Sequence, residues 1–176
     1  MLKKVLLCTL AIIAVLFGTL YFAGESIIIW YMADELDEAL PAYTLVALDG
    51  TPVELADLQG KVVVVDFWAT WCAPCIQSFP YLQEVYDSYK DDDRVAFLVV
   101  NTGEDFATFS QFANKSEYTF PFVHDQEGAA SAALITLGIP TLCIIEANGR
   151  LRYRKTGLAP NYVESLNGKI QYFLAN

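Results

Sequence analysis

Cys72 and Cys75 stand three residues apart in the segment Trp71-Cys72-Ala73-Pro74-Cys75. At the start of a helix that spacing puts both thiols on one face, with Cβ atoms about 5–6 Å apart. This is close to disulfide reach, so the pair can open and close with little backbone motion. A sulfur at a helix N-terminus also meets unpaired N–H groups and the positive end of the helix dipole. Both favour a thiolate and lower its pKa from the free value of about 8.5. Cys72 is therefore expected to be the nucleophile. Cys75, one turn deeper, is the resolving thiol, and the two form a Cys72–Cys75 redox disulfide. Pro74 stiffens the turn at a position where a helix tolerates proline. Two bland readings compete. Half a zinc site would need a second pair, which Cys8 and Cys143 cannot make, and a static disulfide would more often join distant segments. No metal and no cofactor is expected.

Asp66 interrupts the apolar run Val62–Trp68 six residues before Cys72. A carboxyl there is costly without a role or a partner, and desolvation should raise its pKa. It is the expected proton acceptor for Cys75, the alternative being an ordinary buried Asp bonded to backbone or water. Trp71 is expected to rim the site as a partner contact and Trp68 to lie in the core. Cys143 reads as a core thiol and His124 as a loop residue. Arg150, Arg152 and Arg154 read as protective charge on an edge strand.

The elements that must position these residues alternate between strand and helix. Tyr43–Leu48 and Val53–Leu55 around Asp49-Gly50 read as a hairpin. Val62–Trp68 and Val95–Asn101 read as buried strands, with a helix from about Cys72 to Tyr89 between them. A helix over Phe106–Lys115 capped by Asp105, a short strand at Phe120–Val123 and a helix over Gly128–Leu137 follow. A hairpin around Asn148-Gly149 and a last helix opened by Pro160 close the chain. This order predicts an α/β fold, a mixed sheet flanked by helices.

The 176 residues are 55% hydrophobic and 18% charged, too apolar for an ordinary soluble chain. The excess lies in residues 5–23, which carry no charge. Nineteen residues at about 1.5 Å each span about 28 Å, the thickness of the hydrocarbon core. Lys3 and Lys4 precede this run and the next basic residue is Lys61, so the N-terminus is expected in the cytoplasm and the rest outside it. A cleaved signal peptide is the rival. It would have a shorter apolar region and small residues at −3 and −1, whereas cuts after Ala23 or Ala33 put Tyr21 or Tyr31 at −3. The acidic stretch Asp34–Glu38 is expected to be a helical, solvated stalk. From Asp34 onward there are 9 basic and 20 acidic residues, a net of −11, which excludes nucleic acid as a partner.

The segment Asp66-Phe67-Trp68-Ala69-Thr70-Trp71-Cys72-Ala73-Pro74-Cys75 with Pro80 resembles the active-site segment of thioredoxin. Gly138-Ile139-Pro140-Thr141 is similar to the family's cis-proline loop. From Tyr43 to Pro80 the chain resembles membrane-anchored TlpA/ResA-type thioredoxin-like proteins, which carry an N-terminal hairpin and an insertion, here roughly residues 103–137. The resemblance implies that Pro140 packs against the cysteines and that the backbone of Ile139 docks the partner as an added strand. It implies residues 1–4 in the cytoplasm, an anchor over 5–24, a juxtamembrane stalk over 25–40 and a thioredoxin-like domain over 41–176. The chain departs from some cytochrome-maturation members at Ala73, which is not acidic, at Gln77-Ser78, and at Asp66, where many relatives have Asn.

The expected function is a thiol–disulfide oxidoreductase of the inner or cytoplasmic membrane with its domain in the periplasm or its equivalent. It reduces exported disulfide-containing proteins, apocytochrome c among the candidates, with electrons from a membrane donor. Ala73-Pro74 resembles the dipeptide of reductive members, for which the potential lies nearer about −270 mV than about −120 mV. Two other functions fit the fold: a copper-handling assembly factor using Cys72, Cys75 and His124, and a thiol peroxidase. The first typically spaces its cysteines CxxxC, and the second carries a Pro-x-x-x-Thr-x-x-Cys context absent here. Protease added to intact spheroplasts should degrade the domain, and high salt should leave the chain on the membrane. A soluble exported product beginning after residue 23 would overturn the anchor.

Overall fold

The computed structural model describes residues 33–40 and 42–175. The apolar run read as an anchor, residues 5–24, lies outside them. Among the described residues no helix is long and apolar enough to cross a membrane. In chain order the elements are β1 (Ala33–Ala39), β2 (Thr44–Ala47), β3 (Pro52–Glu54), a 3₁₀ turn (Leu55–Leu58), β4 (Val62–Trp68), α1 (Ala73–Tyr89), β5 (Val95–Asn101) and α2 (Phe106–Lys115). They continue with β6 (Phe122–His124), α3 (Ala129–Leu134), β7 (Thr141–Ile145), β8 (Arg150–Thr156) and α4 (Tyr162–Ala175).

The described strands form one mixed sheet in the order β1-β8-β7-β4-β5-β6-β2-β3. β4 lies at its centre, parallel to β5 and antiparallel to β7, with all seven residues buried. Side chains alternate across a strand, so β4 serves two cores. Val63, Val65 and Phe67 join Leu98, Val100, Cys143, Ile145 and the α3 residues Ala130 and Leu134 in one cluster. On the other face Trp68 meets Phe79 of α1, Phe112 of α2 and Phe122 of β6, and its Nε1–H donates to the Val99 carbonyl at 3.3 Å. α4 packs on α1 and on β4.

Five local expectations change. Asp34–Glu38 is part of strand β1 and not a helical stalk. Leu36 packs against the core, and Asp37 accepts hydrogen bonds from Arg150 and Arg152 of β8, the latter at 2.7 Å. An isolated acidic run reads as helix, but here a neighbouring strand supplies the opposite charge and the backbone partners. β8 is consequently not an edge strand, and its arginines, Arg154 among them buried, are not edge protection. His124 is no loop residue, because it closes β6 and is 2% exposed. The helix expected over Gly128–Leu137 ends at Leu134, with Ile135 already extended, and the last helix starts at Tyr162, after Pro160.

Phe79 is fully buried and meets the rings of Trp68, Phe112, Tyr118, Phe120 and Phe122 at centroid distances of 5.2–6.3 Å. Truncating it leaves a cavity that several rings cannot fill at once. Phe79→Ala is expected to cost about 3–5 kcal/mol of stability. Equilibrium unfolding followed by tryptophan fluorescence measures it, and a loss under about 1 kcal/mol would show that the cluster is not what pins α1 to the sheet.

Candidate active site

The chain leaves β4 at Trp68 and enters α1 at Ala73, so residues 69–72 must turn a buried strand into a helix. The Cys72 N–H donates to the Ala69 carbonyl at 3.0 Å. Cys72 then caps the helix: its Sγ accepts from the Cys75 N–H at 3.3 Å, and its carbonyl accepts from Ile76 at 3.1 Å. A capping side chain satisfies donors that the first helical turn leaves unpaired. A thiolate at Sγ would sit on those donors and on the helix dipole. Pro74, in the first turn, needs no partner for a missing N–H. Cys72 and Cys75 are joined as a disulfide with Cα atoms 5.3 Å apart. Cys72 is 4% exposed and Cys75 fully buried, so an incoming disulfide reaches Cys72 first.

Asp66 lies on the Trp68 face of β4 and is 1% exposed. Burial pushes its carboxyl up to about 8, and its Oδ2 has no hydrogen-bond partner among the described residues. A carboxyl that titrates near neutral pH can take and return a proton. Tyr162, buried in the first turn of α4, has its phenol pushed well above the ordinary range, chiefly by burial and further by the Asp66 charge. Sequence reading does not single it out. The same desolvation drives the Cys143 thiol up to about 12, which makes it an inert core group, as expected.

The Ile139–Pro140 bond is cis. Gly138 before it has φ +144°, a region that favours glycine. Thr141 Oγ1 donates to the Gly138 carbonyl at 2.5 Å, and the Gly157 N–H donates to the Pro140 carbonyl at 2.8 Å. Pro140 is buried and Ile139 partly so. Trp71 is 69% exposed beside the cysteines, and Leu137, 70% exposed, precedes the cis-proline loop.

His124 is packed inside the fold at the end of β6. Its ring stacks on Phe109 with centroids 5.3 Å apart, and its Nε2 lies 2.9 Å from the Glu104 carbonyl. Among the described residues no group of three His, Cys, Asp or Glu side chains could hold a metal ion. Glu104 itself escapes sequence reading. Its carboxylate accepts from the Thr70 N–H and hydroxyl, two residues before Cys72. The one local signal for it is an acid three residues past the end of β5, at the same end of the sheet as the cysteines.

The Redoxin family pattern matches residues 35–170. The thiol–disulfide oxidoreductase ResA of Geobacillus kaustophilus is 33% identical over 153 residues, covering 87% of this chain and 84% of that one. ResA of Geobacillus thermodenitrificans is 36% identical over 117 residues, 66% of this chain and 67% of its own. A crystal structure from Chlorobium tepidum, described as a thiol:disulfide interchange protein DsbE, superposes with a TM-score of 0.71 at 30% identity, covering 80% of this chain and 98% of that one.

Asp66 also predicts a pH dependence. A carboxyl that binds its proton more tightly folded than unfolded makes the native state lose stability as pH rises from about 4 to about 8. Over that window the protein should lose on the order of a few kcal/mol, and Asp66→Asn should remove most of the slope. Denaturation of both proteins at pH 5 and pH 8 measures this. Parallel losses would mean that Asp66 is not the group responsible.

Proposed function

We propose, from the premise that this chain belongs to the Redoxin family as a protein thiol–disulfide oxidoreductase of the ResA and DsbE type, that it works outside the cytoplasm as a membrane-anchored reductase of protein disulfides. The observation that carries the mechanism is the capping of α1 by Cys72, bonded to a fully buried Cys75. In the reduced protein the Cys72 thiolate attacks one sulfur of a target disulfide. A mixed disulfide forms, and the other target sulfur leaves as a thiolate. Cys75 then gives its proton to the Asp66 carboxylate and attacks the Cys72 sulfur. The second target thiolate leaves and the Cys72–Cys75 disulfide closes. Two electrons have passed to the target. A dithiol donor at the membrane returns them by the same exchange in reverse.

Helix geometry makes the second attack intramolecular and therefore fast. Trp71 and the backbone of Ile139, beside buried Pro140, form the proposed docking edge, where an extended target segment adds as a strand. Exported proteins with disulfides are the proposed substrate class, with apocytochrome c a candidate. The support for this location is the run of residues 5–23 behind Lys3 and Lys4.

Cys75→Ser keeps the nucleophile and its cap but removes the exit. Cells expressing it should accumulate covalent complexes through Cys72, which should vanish in Cys72→Ser, and mass spectrometry of the trapped species identifies the substrates. Equal trapping through Cys75 in Cys72→Ser would overturn the assignment of the nucleophile.

A further inference from the structure

Glu104 stands outside the dithiol and its buried acid, yet it connects the turn before Cys72 to two strands. Its Oε2 accepts from the Thr70 N–H at 2.8 Å and from Asn101 Nδ2 at 2.7 Å. Its Oε1 accepts from the Thr70 hydroxyl at 2.5 Å. Its backbone carbonyl lies 2.9 Å from His124 Nε2 at the end of β6. The loop that carries it is held in turn: the Thr102 N–H donates to the Trp68 carbonyl at 3.0 Å, Gly103 turns with φ +71°, and Asp105 caps α2. The carboxylate thus ties the segment between β4 and α1 to the end of β5, and the backbone carbonyl of the same residue reaches the end of β6. The three donors it holds are neutral, so its charge is not cancelled by them.

Two chain steps separate Thr70 from Cys72 and span at most about 7 Å. The Glu104 charge is thus seated on the second residue before Cys72, in the same strand-to-helix turn. A negative charge there opposes a thiolate, and a strongly stabilised thiolate is what turns a dithiol of this kind into an oxidant. Fixing Thr70 also fixes its neighbour Trp71, the exposed ring next to the cysteine.

We propose that Glu104 is the positioning residue of the active-site loop, seating Thr70 and Trp71 for a target and, by its charge, holding the Cys72/Cys75 couple on the reducing side. It rests on the proposed reading of Cys72 as the attacking thiol and adds the group that sets where that thiol sits and how readily it gives up electrons. Glu104→Gln keeps an oxygen for Thr70 but removes the charge. Glu104→Ala removes both, and Thr70→Ala removes the hydroxyl contact alone.

The test uses the full chain in detergent, with a glutathione redox series and a synthetic disulfide-bonded peptide as probes. Glu104→Gln should shift the glutathione equilibrium about threefold toward the reduced protein, about 14 mV more oxidising, with KM for the peptide unchanged. Glu104→Ala should show the same shift and, in addition, a KM raised about tenfold. Thr70→Ala should raise KM with the equilibrium unmoved, which keeps the positioning claim open to refutation if Glu104→Ala does not fold. Wild-type equilibrium in Glu104→Gln overturns the role of the charge, and wild-type KM in Thr70→Ala or in Glu104→Ala overturns the positioning. The glutathione equilibrium is indifferent to which cysteine attacks. Trapping through Cys75 would thus overturn the mechanism above while leaving this measurement standing, and an unmoved equilibrium beside trapping through Cys72 would overturn only the proposal made here.

Discussion

The contact between the Cys75 N–H and the Cys72 sulfur is the interaction around which the site is organised. A helix must begin with unpaired N–H groups, and most helices meet that need with a serine, threonine or acid at the cap. Here the cap is the sulfur proposed to react. The donors that stabilise the helix start are the same ones that would stabilise a thiolate. Protein stability and nucleophile activation are therefore coupled at one sulfur, and a disulfide one turn long can close without disturbing the helix it begins.

That arrangement requires a strand that stops at the right place. β4 is buried along its whole length between β5 and β7, so the chain cannot turn until it clears the sheet. Parallel strands β4, β5 and β6 end level with one another, with Trp68 opposite Asn101 and Asn101 opposite His124. This alignment collects the polar groups of three strands at one rim, the place where open α/β sheets expose sites. Asn101 and His124 each bond Glu104 there, and Glu104 reaches Thr70. The apolar alternation beneath them is carried by Trp68 and the rings around Phe79 on one face and by Val63, Val65 and Phe67 on the other.

The same burial explains why two of the groups in this core behave so differently. Asp66 and Cys143 both lose water, and in both the neutral form is favoured. For the carboxyl, desolvation lifts an acid from far below neutrality to about 8, into the range where proton exchange is easy. For the thiol, desolvation starts from a group already above neutrality and carries it to about 12, where it is inert. One physical cause produces a candidate base and a silent cysteine a short distance apart in the same sheet.

How far this was legible in the amino-acid sequence follows the range of the interactions. The Cys-x-x-Cys pair, the helix it opens, the buried strand with Asp66 and the hairpin at Asn148-Gly149 depend on neighbours a few residues away, and periodicity and turn chemistry suffice to read them. The cis-proline loop was legible only through its resemblance to a family. β1, the true place of His124, and the roles open to Glu104 and Tyr162 depend on partners from 20 to more than 110 residues distant, and sequence reading missed them. An acidic run such as Asp34–Glu38 carries no sign that Arg150 and Arg152 will lie beside it. The kind of chemistry was legible in the residues alone, because a thiol at a helix start is a local feature. Tertiary structure decided the setting of that chemistry, because desolvation of Asp66 and the grip of Glu104 on Thr70 exist only once distant strands have been laid side by side and water has been excluded between them.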